Sequence, residues 1–129
     1  MALKDRSFHP ANLALRLLIE LGSLIGLALF AFHRAPADWS LMLAVAVPVM
    51  TGTMWALFNV PGDRSRSGNA PVAVSGPTRL VMELIILYGG AAAYYGAGHW
   101  LATPVMTALV TIHYLASPGR VRWLWRQRA

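Results

Sequence analysis

Arg16-Leu17-Leu18-Ile19-Glu20-Leu21 opens the first long apolar run of the chain, and Arg79-Leu80-Val81-Met82-Glu83-Leu84 opens the third, 63 residues later. Both read R-L-x-x-E-L and differ only where one apolar residue replaces another, so the polar identities repeat as in a duplicated unit. An ionisable residue within a membrane segment costs about 2.5–3.5 kcal/mol on insertion scales, and a matched pair of glutamates therefore demands a role.

The surroundings make the membrane reading concrete. Of 129 residues, 57% are apolar and 12% charged, a balance unsuited to a soluble domain of this size. The apolar residues fall into blocks at about 13–32, 39–60, 80–97 and 98–116, each near the ~20 residues of a spanning helix. The expectation is an all-α membrane protein with four transmembrane helices. Residues 61–69 are rich in Gly, Ser, Pro and charge and read as an aqueous loop. That loop separates two helical hairpins: repeat 1 at about 12–60, a cytoplasmic loop at about 61–75, repeat 2 at about 76–116, and a basic interfacial tail at 117–129. The first block exceeds the 7–15 residues usual for a signal sequence and carries the repeated Arg and Glu, so it reads as a retained helix.

Ten of the eleven basic residues flank one side. They are Lys4, Arg6 and Arg16 near the start, Arg64, Arg66 and Arg79 around the loop, and Arg120, Arg122, Arg126 and Arg128 in the tail; Arg34 stands alone opposite. By the positive-inside rule both termini and the central loop are cytoplasmic. The net charge of +6 is then topology, and the Arg and Trp of the tail anchor at anionic headgroups rather than on nucleic acid. The absence of Cys excludes disulfides, thiolate metal sites and a Cys nucleophile.

Further matches extend the duplication. Asn12 and Ser75 share the 63-residue offset as helix N-caps, as do Gly26 and Gly89 within the helices, and Pro48-Val49-Met50-Thr51 returns as Pro104-Val105-Met106-Thr107. Two units of two spans, both starting inside, make a parallel repeat about an axis along the membrane normal. Each Glu then lies about 12 Å along its helix from the cap, facing the bundle interior, with Arg16 and Arg79 near enough to the interface to snorkel. The pairs either lock the first and third helices together or form a proton or cation site. Small residues at Gly22 and Gly26, and from Gly89 to Ala93, allow close helix packing, within the monomer or between two chains. Pro48 and Pro104 are expected to kink the second and fourth helices, with Thr51, Thr53, Thr107 and Thr111 bonding freed carbonyls. His113 ends the fourth helix on the side of the glutamates and joins Arg16, Glu20, Arg79 and Glu83 as a candidate buried polar site, which Trp55, Tyr88, Tyr94 and Tyr95 are placed to line as a cavity. The chain has no H-E-x-x-H, phosphate loop or nucleophile elbow, and its four His do not make a metal or haem spacing, so neither catalysis nor a cofactor is expected.

Asn12 to Leu21, Met54-Trp55-Ala56-Leu57-Phe58-Asn59-Val60-Pro61, and Arg79 to Leu84 resemble the YrdB family of small bacterial four-helix membrane proteins, over about residues 12–114. The resemblance implies a multi-pass protein of the bacterial inner membrane and carries no established catalytic or binding residues; at Asn59 an apolar residue is more usual. The functional expectation is a small integral membrane protein, structural or accessory to a membrane complex, with the lipid bilayer and a homodimer or complex subunit as partners. The alternative is a small proton- or cation-coupled transporter working as a dimer through Glu20 and Glu83.

Overall fold

The computed structural model describes residues 5–65 and 68–128. Lys4 and Arg66, two of the residues behind the orientation argument, lie outside the described residues. Among those described, five α-helices account for most of the chain: α1 (Pro10–Arg34), α2 (Ser40–Leu57), α3 (Gly76–Gly96), α4 (Ala102–Leu115) and α5 (Pro118–Arg126). A two-residue strand after α2, β1 (Phe58–Asn59), pairs in parallel with β2 (Val72–Ala73) just before α3.

α1 starts earlier than its apolar block because Pro10 occupies the first turn and the His9 ring accepts a hydrogen bond from the Ala11 N–H. Asn12, expected as the cap, instead lies inside the helix with its side chain turned inward. Ser75 does cap α3, its hydroxyl accepting from the Thr78 N–H at 3.3 Å. Two stretches are long and apolar enough to cross a membrane: Pro10–Arg34, of mean hydropathy 2.0, and Ala37–Leu57, of mean hydropathy 1.7. The fourth block yields a helix of only 14 residues, because His99 and Gly98, the latter at φ +88°, form a turn that delays its start. Pro104 therefore falls in the first turn of α4, where the missing N–H interrupts no helical bond and the expected kink does not arise. Pro48 is inside α2. Thr51 and Thr53 donate to the carbonyls of Val47 and Val49 one turn earlier.

α1 packs most extensively on α3 and α2, and α4 lies against both α3 and α1, whereas α2 and α3 scarcely touch. The buried stripe of α1 is Asn12, Arg16, Ile19, Ser23 and Gly26, at alternating four- and three-residue spacing. Its outward residues Leu17, Leu18, Leu21 and Ile25 are all more than half exposed. The helix is thus more polar inside than out. Ser23 donates to the Leu87 carbonyl of α3, and Gly26 and Gly90 bring the two backbones together. A Cβ on Gly90 would lie 2.4 Å from the Ser23 Cβ, and one on Gly26 would lie 2.5 Å from the Gly90 carbonyl oxygen. The small residues at these positions therefore pack α1 on α3 within one chain. Gly90→Ala is expected to lower stability by about 1–3 kcal/mol through overpacking, measured as the unfolding midpoint in detergent; an unchanged midpoint would mean the helices are not in this register.

Candidate functional site

Glu83 is completely buried and is the hub of the polar interior. It lies on α3 one turn after Arg79, whose Nε donates to its Oε2 at 2.8 Å. From α1, Arg16 Nη2 reaches the same oxygen at 3.3 Å, and from α4 the Tyr114 hydroxyl donates to Oε1 at 2.8 Å. Arg120 of α5 completes the set with a fork: Nη1 to Oε1 at 2.9 Å and Nη2 to Oε2 at 2.7 Å. Five donors from four helices thus converge on a group with about four lone-pair directions.

The cluster extends from this hub in two directions. Arg16 Nε pairs with Glu20 at 2.9 Å, at a side chain that keeps 17% of its surface exposed. Arg120 Nη2 also bonds Asp63 of the central loop at 2.7 Å. Three guanidinium groups (Arg16, Arg79, Arg120) face three carboxylates (Glu20, Asp63, Glu83), so the buried charges balance. Burial raises the Asp63 carboxyl, but the Arg120 hydrogen bond and charge, joined by Ser65, hold it below its usual range.

Arg79 also closes the end of α2. Its Nη1 donates to the carbonyls of Trp55 and Phe58 at 2.7 Å each, placing a cation at the negative end of that helix, while its guanidinium carbon stands 4.8 Å from the centre of the Trp55 ring. Arg79 and Arg16 therefore do not snorkel. Carboxylates and carbonyls inside the bundle supply what the interface would have offered, and Arg79 is 0% and Arg16 5% exposed. Arg16 Nη1 and Arg79 Nη2 remain buried without an acceptor, so donors outnumber acceptors in the cluster.

The tail enters this site because the N-terminal segment caps α5. Asp5 accepts from the Gly119 N–H at 3.3 Å and Ser7 from the Arg120 N–H at 3.1 Å, which turns α5 back over α3 and drives Arg120 inward. The Asp5 carboxyl is lowered, chiefly by its hydrogen bonds from Ser7. Arg120 is thus buried, unlike the exposed Arg122, Arg126 and Arg128, and the headgroup anchoring expected of the tail does not extend to it. The loop expected to be wholly aqueous contributes the buried Asp63 and is tied down by the β1–β2 pairing.

The structure brings Arg16, Glu20, Arg79 and Glu83 together and sets His113 beside them. His113 Nδ1 bonds the Asn12 side chain at 3.0 Å, Asn12 donates to the Ser117 hydroxyl at 2.8 Å, and the hydroxyl donates back to the His113 carbonyl at 2.7 Å. His113 thus belongs to a closed polar ring and bonds neither glutamate. The aromatic residues expected to line a cavity serve as ties between helices. Trp55 is buried under Arg79, Tyr88 bonds Thr111, and the Tyr94 hydroxyl bonds the Gly22 carbonyl. Tyr95 is 70% exposed. Asp63, Tyr114 and Arg120 were not singled out from sequence. The available signal was scarcity, since a chain with five acidic residues places one of them, Asp63, in a loop beside a cluster of arginines.

Residues 14–111 match a family profile described as "Protein of unknown function (DUF2568)". The chain is similar to the "Uncharacterized protein YrdB" of Bacillus subtilis (strain 168), with 36% identity over 119 residues, covering 92% of this chain and 97% of that protein. No solved structure matches it.

Proposed function

Because the chain belongs to the YrdB/DUF2568 family, a family of unknown function, we propose a role from its own geometry: a small, non-enzymatic, multi-pass protein of the bacterial inner membrane, structural or accessory to a membrane complex. In this reading α1 to α4 are four spans arranged as two hairpins in parallel repeat, with both termini and the central loop in the cytoplasm. The carrying observation is the saturated Glu83 carboxylate, enclosed by helices whose outward faces are apolar. Water would oppose such a surface and lipid would accept it.

A carboxylate holding five donors has no free lone pair for a proton or cation, and three guanidinium groups around it repel a cation further. That geometry supports a structural lock over the transport alternative. Glu20, paired with Arg16 and partly exposed, sits at the edge of the same lock.

The absence of native Cys makes topology directly readable. In intact cells a membrane-impermeant maleimide is expected to label Asp38→Cys and His99→Cys, and to label Ser65→Cys and Gln127→Cys only after permeabilisation. Labelling of all four in intact cells, or of none after permeabilisation, would overturn the four-span arrangement.

A further inference from the structure

α4 closes against α1, but the corresponding space between α2 and α3 is open. It forms a groove of about 570 Å³ walled by Met54 and Phe58 on one side and Val81, Ile85 and Ile86 on the other. Its polar side chains are already satisfied: Thr51 bonds the Val47 carbonyl at 2.8 Å, and the Thr78 and Ser75 hydroxyls bond each other at 2.8 Å. The groove therefore offers an apolar wall and no unsatisfied hydroxyl to a polar solute. From Thr78 to Ile86 it runs about 12 Å along α3, a length suited to part of an acyl chain.

At its cytoplasmic end the groove meets the β1–β2 pair, where Phe58 and Val74 form the rim. Val74 is shared with a second cavity of about 380 Å³, lined also by Val60, Pro61, Gln127 and Arg128. Arg128 is exposed, stands 5.7 Å from the Trp125 ring and makes no ion pair among the described residues. The apolar groove thus adjoins, at Val74, a cavity that carries an exposed cation at the level where headgroups would lie.

The geometry points to a binding site for one anionic phospholipid of the cytoplasmic leaflet, with an acyl chain between α2 and α3 and its phosphate at Arg128. Charge complementarity selects this occupant over a second copy of the chain, because the rim carries a cation and the opposite wall of the pair of cavities carries no carboxylate. The inference rests on the membrane reading proposed above.

The test is native mass spectrometry of the full chain purified in detergent, titrated with phosphatidylglycerol and with phosphatidylethanolamine of identical acyl chains. Phosphatidylglycerol is expected to bind about fivefold more tightly, the contribution of one basic residue near a lipid headgroup. Arg128→Gln should abolish that preference and leave phosphatidylethanolamine binding as it was. Ile85→Trp, at a position 66% exposed and so outside the core, should fill the groove and weaken both lipids more than tenfold. Equal affinity of wild type for the two lipids, a preference that survives Arg128→Gln, or binding indifferent to Ile85→Trp would each overturn the site. A wild-type dimer that Ile85→Trp converts to monomer would overturn it in favour of a second copy in the groove. A chain that stays soluble without detergent would overturn the membrane reading itself, whereas a detergent-dependent chain lacking the lipid preference would overturn this site alone.

Discussion

Glu83→Gln is expected to destabilise the protein by about 3–5 kcal/mol, the usual cost of removing one partner from a buried ion-pair cluster. The amide keeps the shape but has one acceptor oxygen, and its NH2 group would point at guanidinium donors. Arg79, Arg16 and Arg120 would then share two carboxylates, one of them partly exposed, and the interior would carry an excess positive charge. Glu20→Gln is expected to cost far less, because its side chain retains contact with the exterior. Chemical unfolding of the two variants and wild type in the same detergent gives the comparison. Equal, small losses would remove Glu83 as the hub, and a gain in stability for Glu83→Gln would mean that the charge is retained against folding and serves a binding purpose.

Gly76→Ala is expected to release the C-terminal helix. A Cβ at this position would lie 1.5 Å from the Leu124 carbonyl oxygen, and the Gly76 N–H donates to the Gln127 carbonyl in the same contact. Neither backbone has room to shift without separating α5 from α3. Separation withdraws Arg120 from Glu83 and Asp63, so the loss should reach about 3 kcal/mol or more. Limited trypsin digestion reads the event directly, since the buried Arg120 becomes accessible to cleavage when α5 undocks. Gly89→Ala is the control: its added methyl meets nothing within 4 Å, and the change should be neutral or slightly stabilising. If Gly76→Ala resists trypsin as well as wild type does, α5 is not docked as described.

The two hexapeptides place an Arg/Glu pair on each of α1 and α3, because a four-residue Arg-to-Glu spacing is a local property of a helix. They did not reveal that the two glutamates differ. Glu83 meets α4 and α5 directly and the loop through Arg120, whereas Glu20 lies toward the bundle edge; equivalent positions of the two hexapeptides were given unequal surroundings by the segments that close over Glu83. Asn12 shows the same limit. Its type suggested a cap, but Pro10 moved the helix start upstream and left the amide facing His113 and Ser117.

Helix content, the placement of apolar runs, the Arg/Glu pairs and membership of the YrdB/DUF2568 family were legible from the residues alone, since hydropathy, spacing and similarity need no knowledge of distant neighbours. Which arginines face the interior and which stay outside was decided only by tertiary structure. Arg120 and Arg122 are two residues apart in one basic tail, yet capping by Asp5 and Ser7 turns α5 so that the first enters the bundle and the second does not. Charge is a property of the residue, but its burial depends on where the chain returns to meet it.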